Sequence, residues 1–364
     1  MIFGQPLFGQ HGILRNYYFC VDGSNNINVY SIEPNDNIQS VGSFSTNYLE
    51  SRIDAGAFRV SSPAKIAMGD RSVHFVDFNK KTNDLGSRNS FSYYSSSRVY
   101  GIDFARFSNK AIIVGSTNPI LYNTSTQSNI NTSKNYSWSA SHAKFAYVNN
   151  NERLFIRNTS GSSGNVIELS PDNLASIRSV TSGSAVSTSN LNNFDITQDG
   201  KYLAHQNGNT VYIRELTGTS NWNSSSSIVR RFTPFDGDSI ENMAFVPGTT
   251  EIIIGNGTGQ AHRIGKYDYK NSSIETKWVK EVYSGTSYFF ARIRNIIVDQ
   301  SGEYFSYSMN GSVSGTANVK RFPISRVSDG EIVQFGASGS NSFTTSHGFS
   351  FDDTFPIYAT PDIT

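Results

Sequence analysis

Cysteine is nearly absent from this sequence: the 364 residues include one, Cys20. A single cysteine excludes a disulfide bond within the chain and any zinc site built from several thiolates. The neighbours of Cys20 in the stretch NYYFCVDG are apolar and aromatic. We therefore expect Cys20 to be a small buried side chain and not a reactive thiol.

The chain carries little charge of either sign. Lys and Arg together number 30 and Asp and Glu 29, so the net charge is +1, and charged residues make up 16% of the chain. Such a surface has no overall field that would hold a nucleic-acid backbone or an anionic bilayer. Nucleic acid is therefore not expected among the partners.

Long apolar runs are missing as well. None approaches the roughly 18 residues that a membrane-spanning helix needs. The first residues, MIFGQPLFGQHG, lack the basic segment and apolar segment of a signal peptide. We expect no membrane insertion and a chain that is made in the cytoplasm without a signal peptide.

Short runs of β-forming residues separated by turn signals fill the chain. The stretch FDITQDGKYLAHQNGNTVYIREL, residues 194–216, holds three such runs, and SIVRRFT, after a Ser-rich loop, supplies a fourth. Asp-Gly and Asn-Gly tolerate the positive φ values of tight turns. Four strands joined by turns predict an antiparallel meander without a crossover helix.

Similar meanders recur along the chain. First strands begin near residues 56, 101, 136, 193, 242, 293 and 348, a spacing of roughly 35 to 57 residues that is typical of propeller blades. The sequence thus predicts one all-β domain over residues 1–364, a seven-bladed β-propeller of four-stranded antiparallel blades. The predicted blades are 17–45, 55–92, 100–135, 136–170, 192–234, 240–284 and 293–337, with one or two closing strands in 347–360.

The two ends of the chain are predicted to pair. The last unit, HGFSFDDTFPIYAT, holds only one or two strands, and the first unit lacks an innermost strand. Because an open sheet edge exposes unpaired backbone groups, we expect the C-terminal strand to complete the N-terminal blade and close the ring. A tandem of two-sheet sandwiches is the alternative fold.

The order of strand, Asp-Gly turn, strand, Asn-Gly turn and strand in residues 193–216 resembles a blade of the tryptophan-aspartate (WD) repeat propellers and their degenerate relatives. The resemblance covers residues 17–360 and lies in the period. Arg214-Glu215 stands where the Trp-Asp dipeptide would fall, and no Gly-His pair opens the units. The resemblance implies a propeller that binds other proteins.

Recognisable catalytic and metal-binding motifs are missing. No Gly-x-Ser-x-Gly elbow occurs, and GNGTGQ lacks the third glycine and the following helix of a dinucleotide site. We therefore predict no enzyme activity, no cofactor and no metal; carboxylates from separate blades that meet at the channel mouth stay an open alternative. The six histidines, none in an HxxxH or HxH pair, are His11, His74, His142, His205, His262 and His347.

Aromatic residues near predicted loops are the candidate binding residues. Exposed Tyr and Phe side chains are effective interface anchors, since they bury a large area at little cost in conformational entropy. The alternative for Phe289 and Phe290 is that they begin the next strand and pack between blades. The candidates, all expected on one face of the propeller, are Tyr93, Tyr94, Tyr288, Phe289 and Phe290.

The composition suggests where such a propeller works. Weak charge, abundant Ser, Asn, Tyr and Phe, and negligible cysteine resemble bacteriophage tail and capsid-surface proteins. That resemblance implies a non-enzymatic structural protein of the virion that mediates assembly or host attachment through other virion proteins. A propeller that binds or cleaves a host surface glycan and an intracellular WD-repeat-like scaffold are the alternatives.

Overall fold

A computed structural model defines the fold. The described residues contain 28 β-strands and no α-helix, and none of their elements is a helix that could span a membrane. The structure describes residues 16–22, 26–33, 35–45, 55–61, 64–69, 71–93, 98–130, 140–148, 151–158, 165–180, 194–216, 227–257, 261–284, 288–313, 319–339, 347–352 and 355–364.

Five sheets, named B to F, each have four antiparallel strands that follow one another in the chain. The first strand of each lies at one edge of its sheet and the fourth lies at the other. Sheet B has β8 (Val99–Phe104), β9 (Lys110–Gly115), β10 (Ile120–Asn123) and β11 (Ser128–Asn129); sheet C has β12 (Ala140–Val148), β13 (Asn151–Asn158), β14 (Asn165–Leu169) and β15 (Ser176–Val180).

The remaining four-stranded sheets repeat this arrangement. Sheet D has β16 (Phe194–Ile196), β17 (Tyr202–Asn207), β18 (Thr210–Glu215) and β19 (Ile228–Phe232); sheet E has β20 (Ile240–Phe245), β21 (Glu251–Asn256), β22 (Ala261–Asp268) and β23 (Glu275–Ser284). Sheet F has β24 (Tyr288–Val298), β25 (Tyr304–Val313), β26 (Val319–Arg326) and β27 (Ile332–Gly339).

The other eight strands form a single sheet, named A, in the order β3-β2-β1-β28-β4-β5-β6-β7. Its strands are β1 (Asn16–Val21), β2 (Asn26–Glu33), β3 (Asn37–Ser45), β4 (Ala55–Arg59), β5 (Lys65–Gly69), β6 (Ser72–Asn79), β7 (Asp84–Ser92) and β28 (His347–Phe351).

The C-terminal strand β28 lies between the first and fourth strands of the chain. It pairs antiparallel with β1, where Tyr18 faces Phe349 and Cys20 faces His347. It also pairs parallel with β4, but through only two residue pairs, at Ser350 and Phe351. The predicted pairing of the C-terminal strand with the N-terminal unit is therefore confirmed, and one strand makes it.

Two features of the predicted fold differ from the structure. Seven separate four-stranded sheets were predicted, whereas there are five such sheets and one of eight strands, because β28 bonds to β4 as well as to β1. The predicted unit 136–170 also ended too early. Its first two predicted strands are one strand, β12, which pairs with β13 so that Val148 faces Asn151, and the fourth strand of this sheet, β15, ends at Val180.

Tight turns form where Asp-Gly and Asn-Gly predicted them. Gly200, between β16 and β17, has φ +65°, and Gly208, between β17 and β18, has φ +61°. Only glycine adopts these values without a steric penalty. The turns explain why residues 194–216 fold as a meander.

Hydrophobic clusters fill the spaces between consecutive groups of strands. Ile253 of sheet E, for example, packs with Ile293 and Phe305 of sheet F. Cys20 lies fully buried beside Phe322 in the cluster that joins β1 to sheet F, as predicted for a small unreactive side chain. Each group of four strands thus buries both faces against its neighbours, as expected for a propeller.

Candidate functional site

The innermost strands of the sheets surround a central cavity of about 220 Å³. It is lined by residues of β4, β8, β12, β16, β24 and β28. Asn242 and Met243 of β20 line an adjoining cavity that shares several of these residues. Most of the lining is backbone and apolar side chain. The charged exceptions define the candidate site.

Three charged side chains, Asp103, Lys144 and Asp195, belong to the innermost strands of sheets B, C and D. Asp103 and Lys144 line this cavity, and Lys144 and Asp195 line a smaller cavity of about 90 Å³ beside it. The Lys144 ammonium lies 3.3 Å from Asp195 Oδ1. Asp195 is buried, whereas the Lys144 side chain is 45% exposed towards the cavity. Asp103 belongs to the sheet before that of Lys144, and Asp195 belongs to the sheet after it. The positive charge of Lys144 is therefore compensated by a carboxylate on either side. We name these three residues the channel triad.

The carboxylates of the channel triad also accept backbone hydrogen bonds from the next sheet. Phe145 N donates to Asp103 Oδ2 at 2.7 Å, and Phe245 N donates to Asp195 Oδ2 at 2.8 Å. Asn242 repeats the arrangement, since its Oδ1 accepts from Ile296 N at 2.9 Å. These contacts satisfy donors on the exposed edges of innermost strands, where the sheet has no further strand to accept them.

Burial and neighbouring charges set the protonation of the channel triad. Burial raises the pKa of Asp103 to about 6, although the charge of Lys144 opposes the rise. The pKa of Lys144 is raised, chiefly by the Asp195 carboxylate. Lys144 is therefore a stable cation at neutral pH and is poorly suited to act as a general base.

Two buried histidines make stability depend on pH. Burial lowers the pKa of His205 and of His347 to about 3. Each neutral ring has polar contacts: Arg214 Nε donates to His205 Nε2 at 2.9 Å, and His347 Nδ1 lies 3.2 Å from the Tyr18 hydroxyl. Protonation of either ring would place an uncompensated charge in the interior.

We predict that acid destabilises the protein through these histidines. The unfolded chain, with histidine pKa about 6.5, takes up protons before the folded one, so stability is complete above pH 6.5 and falls as the pH decreases towards 3. At pH 5 the expected loss is about 2 kcal/mol per histidine. Urea unfolding at pH 7.5 and pH 5 measures it.

The matched variants for this prediction are His205→Gln and His347→Asn, which keep a polar atom at the position of the bonded ring nitrogen. Each should shrink the difference in unfolding free energy between the two pH values. An undiminished difference in both variants would contradict the assignment.

Of the predicted aromatic binding residues, the structure places the side chain of Tyr93, which is buried. Tyr93 follows β7 and is 2% exposed, and its hydroxyl donates to the carbonyls of Thr117 and Asn118 at 3.0 and 2.7 Å. Its side chain supports the contact between sheets A and B, so its placement differs from the exposed one expected. Tyr94 lies outside the described residues.

The other three candidates, Tyr288, Phe289 and Phe290, belong to β24, as the alternative interpretation of Phe289 and Phe290 proposed. Their role in binding stays a prediction.

Sequence reasoning did not select the channel triad. Its members lie in stretches that were interpreted as strands, YGIDFARF, AKFAYVN and NNFDIT. The available signal was a charged residue within an otherwise apolar first strand, repeated in three successive units. A charged residue at such a position faces either a cavity or a partner, because a lone buried charge is costly.

No protein-family model and no curated protein sequence matches this chain. A solved structure described as "Crystal Structure of Mitotic Checkpoint Complex" contains a similar chain, with a TM-score of 0.58 and 12% identity over 97% of this chain and 91% of that one. The sheet arrangement and this likeness support a propeller-type fold. At that identity the likeness concerns the fold alone.

Proposed function

We propose that this chain is a seven-bladed propeller that acts as a non-enzymatic scaffold for other proteins. The observation that carries the proposal is the use of the channel carboxylates: Asp103 and Asp195 each accept a backbone N–H of the following sheet. These bonds give both carboxylates a structural role in joining neighbouring sheets, which favours a scaffold over a catalytic role. The likeness to a chain of a protein complex supports protein partners.

The count of seven blades follows if sheet A is divided at its short parallel pairing. One blade is then β28-β1-β2-β3 and the other is β4-β5-β6-β7. The seven hydrophobic clusters of the described residues support this division, because each lies between two consecutive blades. The last blade also bonds to the first: Arg326 Nη1 donates to Asp36 Oδ2 at 2.7 Å.

Exposed aromatic side chains offer anchors for a partner. Phe107 is 47% exposed and follows the end of β8. Its backbone N–H donates to Glu152 Oε1 at 2.6 Å, and the neighbouring Ser108 hydroxyl donates to Oε2 at 2.7 Å, so the loop is held rigidly. A rigid aromatic anchor loses little entropy when it is buried by a partner.

The finer assignments remain proposals based on composition. A place in a virion, synthesis in the cytoplasm and a host surface glycan as partner have no support in the structural likeness. The protein-interaction role does not depend on them, and the identity of the captured partner decides between a virion component and an intracellular scaffold.

We predict that Phe107→Ser lowers the yield of co-purifying protein at least about tenfold, the usual effect of losing an interface anchor. The full chain is purified under native conditions from its source and chemically cross-linked, and its partners are identified by mass spectrometry. Ile177→Ser is the matched control, since Ile177 is 58% exposed on the outer strand β15. A chain that purifies as a free monomer without partners would contradict the scaffold role.

A further inference from the structure

The segment that follows β28, residues 355–364, contacts sheets D and E without joining either, and its Ile357 packs against the hydrophobic cluster between sheets B and C. The chain is anchored just before this segment at Asp352. Its backbone N–H donates to Oε1 of Gln300, in the first turn of sheet F, at 2.8 Å. Beyond this point it contains no regular strand. We call residues 355–364 the C-terminal segment.

Thr360 is the most completely bound residue of this segment. Its N–H donates to Asp199 Oδ2 at 2.6 Å and its hydroxyl donates to Asp199 Oδ1 at 3.2 Å. Asp199 itself is held in place, because Lys201 N donates to its Oδ1 at 3.1 Å. One carboxylate therefore recognises both the backbone and the side chain of a single buried residue, which favours threonine or serine there.

Contacts on the C-terminal side of Thr360 extend this recognition. The Lys201 ammonium pairs with the Asp362 carboxylate and donates to the Thr360 carbonyl at 3.4 Å. Ile363 N donates to the Tyr202 hydroxyl at 3.4 Å, and the Ile363 side chain packs against the hydrophobic cluster between sheets D and E. Asp199, Lys201 and Tyr202 of sheet D thus contact Thr360, Asp362 and Ile363 of the segment in the same order along the chain.

On the other side of Thr360, Tyr358 rests on the turn between β20 and β21. Gly248 in that turn has φ +72°, and a Cβ added there would come within 2.8 Å of Tyr358 Cβ. The turn therefore leaves just enough room for the segment. Its backbone conformation and the close approach both require glycine.

The segment is held as a bound peptide is held. Most of its hydrogen bonds use side chains of sheet D, and the backbone pairing of Thr364 N with Lys270 O, at 3.0 Å, does not continue as a strand. Pro356 and Pro361 restrict its backbone, and a residue before proline favours the extended conformation. A preformed extended shape lowers the entropy cost of binding.

We propose that these turns form a peptide-binding site, which the C-terminal segment occupies within its own chain. The site takes an extended peptide with threonine followed two residues later by aspartate: Asp199 binds the threonine, Lys201 binds the aspartate, and Tyr202 binds the next N–H. Thr360 also lines a cavity of about 90 Å³ together with Lys144 and Asp195. A peptide that occupies the site therefore places its threonine at this cavity.

This inference rests on the observed contacts and holds whether or not the propeller has a protein partner at Phe107. The test uses the full chain with a protease recognition sequence inserted between residues 352 and 355. After cleavage, a fluorescent peptide, N-acetyl-FPIYATPDIT-amide, is added and its exchange with the bound segment is followed by anisotropy.

We expect saturable exchange in the micromolar range in the cut chain and much weaker binding to the uncut chain, where the tethered segment competes. A peptide with valine in place of Thr360, and the protein variant Asp199→Asn, should each raise the Kd at least about tenfold, since a hydrogen bond to a charged group is lost. A peptide with serine in place of the exposed Ala359 is the control and should bind as the original does.

Three outcomes would overturn the proposal. A scrambled peptide could bind equally well, or the cut segment could leave without any peptide replacing it. Alternatively, cleavage could abolish the cooperative unfolding transition measured by circular dichroism, in which case the segment is part of the folded core and not a ligand. The partner capture at Phe107 is measured separately, so failure of peptide exchange leaves that result unchanged.

Discussion

Deletion of residues 347–364 is expected to abolish the cooperative unfolding transition and most of the soluble yield. The deletion removes β28, which leaves the edges of β1 and β4 without a partner. It also uncovers Tyr18, against which the Phe349 ring packs at 5.1 Å between centroids. Unpaired strand edges beside exposed aromatic surface promote aggregation. Urea unfolding followed by circular dichroism and size-exclusion chromatography measures both effects.

Deletion of residues 355–364 alone is the matched control for the loss of β28. It removes the C-terminal segment but keeps β28 and both of its pairings. We expect this shorter deletion to keep a single cooperative transition. If the chain without residues 347–364 melts as the full chain does, β28 does not join the ends of the propeller.

Asp195→Ala is expected to lower the free energy of unfolding by about 3 kcal/mol, the lower end of the range for breaking a buried ion pair. The substitution removes the acceptor of Phe245 N and leaves Lys144 without the carboxylate 3.3 Å away. The exposure of Lys144 to the cavity limits the loss, because water can solvate the ammonium. Urea unfolding at pH 7.5 measures the change.

Asp195→Asn separates the two contributions. Its amide oxygen still accepts the Phe245 N–H, whereas the charge that compensates Lys144 is gone. We therefore expect a smaller loss than for Asp195→Ala. Combining Asp195→Asn with Lys144→Met should recover part of it, since the remaining uncompensated charge is then removed. Equal losses for alanine and asparagine would show that the hydrogen bond between sheets contributes nothing.

Much of the fold could be predicted from the sequence because its information is local. Alternating runs such as YLAHQ and TVYIREL specify strands, and the turns at Gly200 and Gly208 follow from the residues that tolerate positive φ. The recurrence of these units indicated a propeller. The incomplete first and last units indicated that β28 and β1 would pair, which they do.

The candidate site could be predicted only in small part. Asp103, Lys144 and Asp195 lie in separate units, and nothing local says that three first strands meet around one cavity. The placement of Tyr93 differed for a related reason: it was expected in an exposed loop, but sheet B packs over it and its hydroxyl bonds to the carbonyl groups there. Exposure depends on which neighbour covers a residue.

The sequence by itself determined the strand-and-turn units and the need for the ends to pair, because hydrogen bonding and side-chain alternation act over a few residues. Only the tertiary structure decided that β28 also bonds to β4, that Lys144 lies beside Asp195, and that Thr360 reaches Asp199. Those contacts join residues distant in the chain, and the packing of whole sheets brings them together.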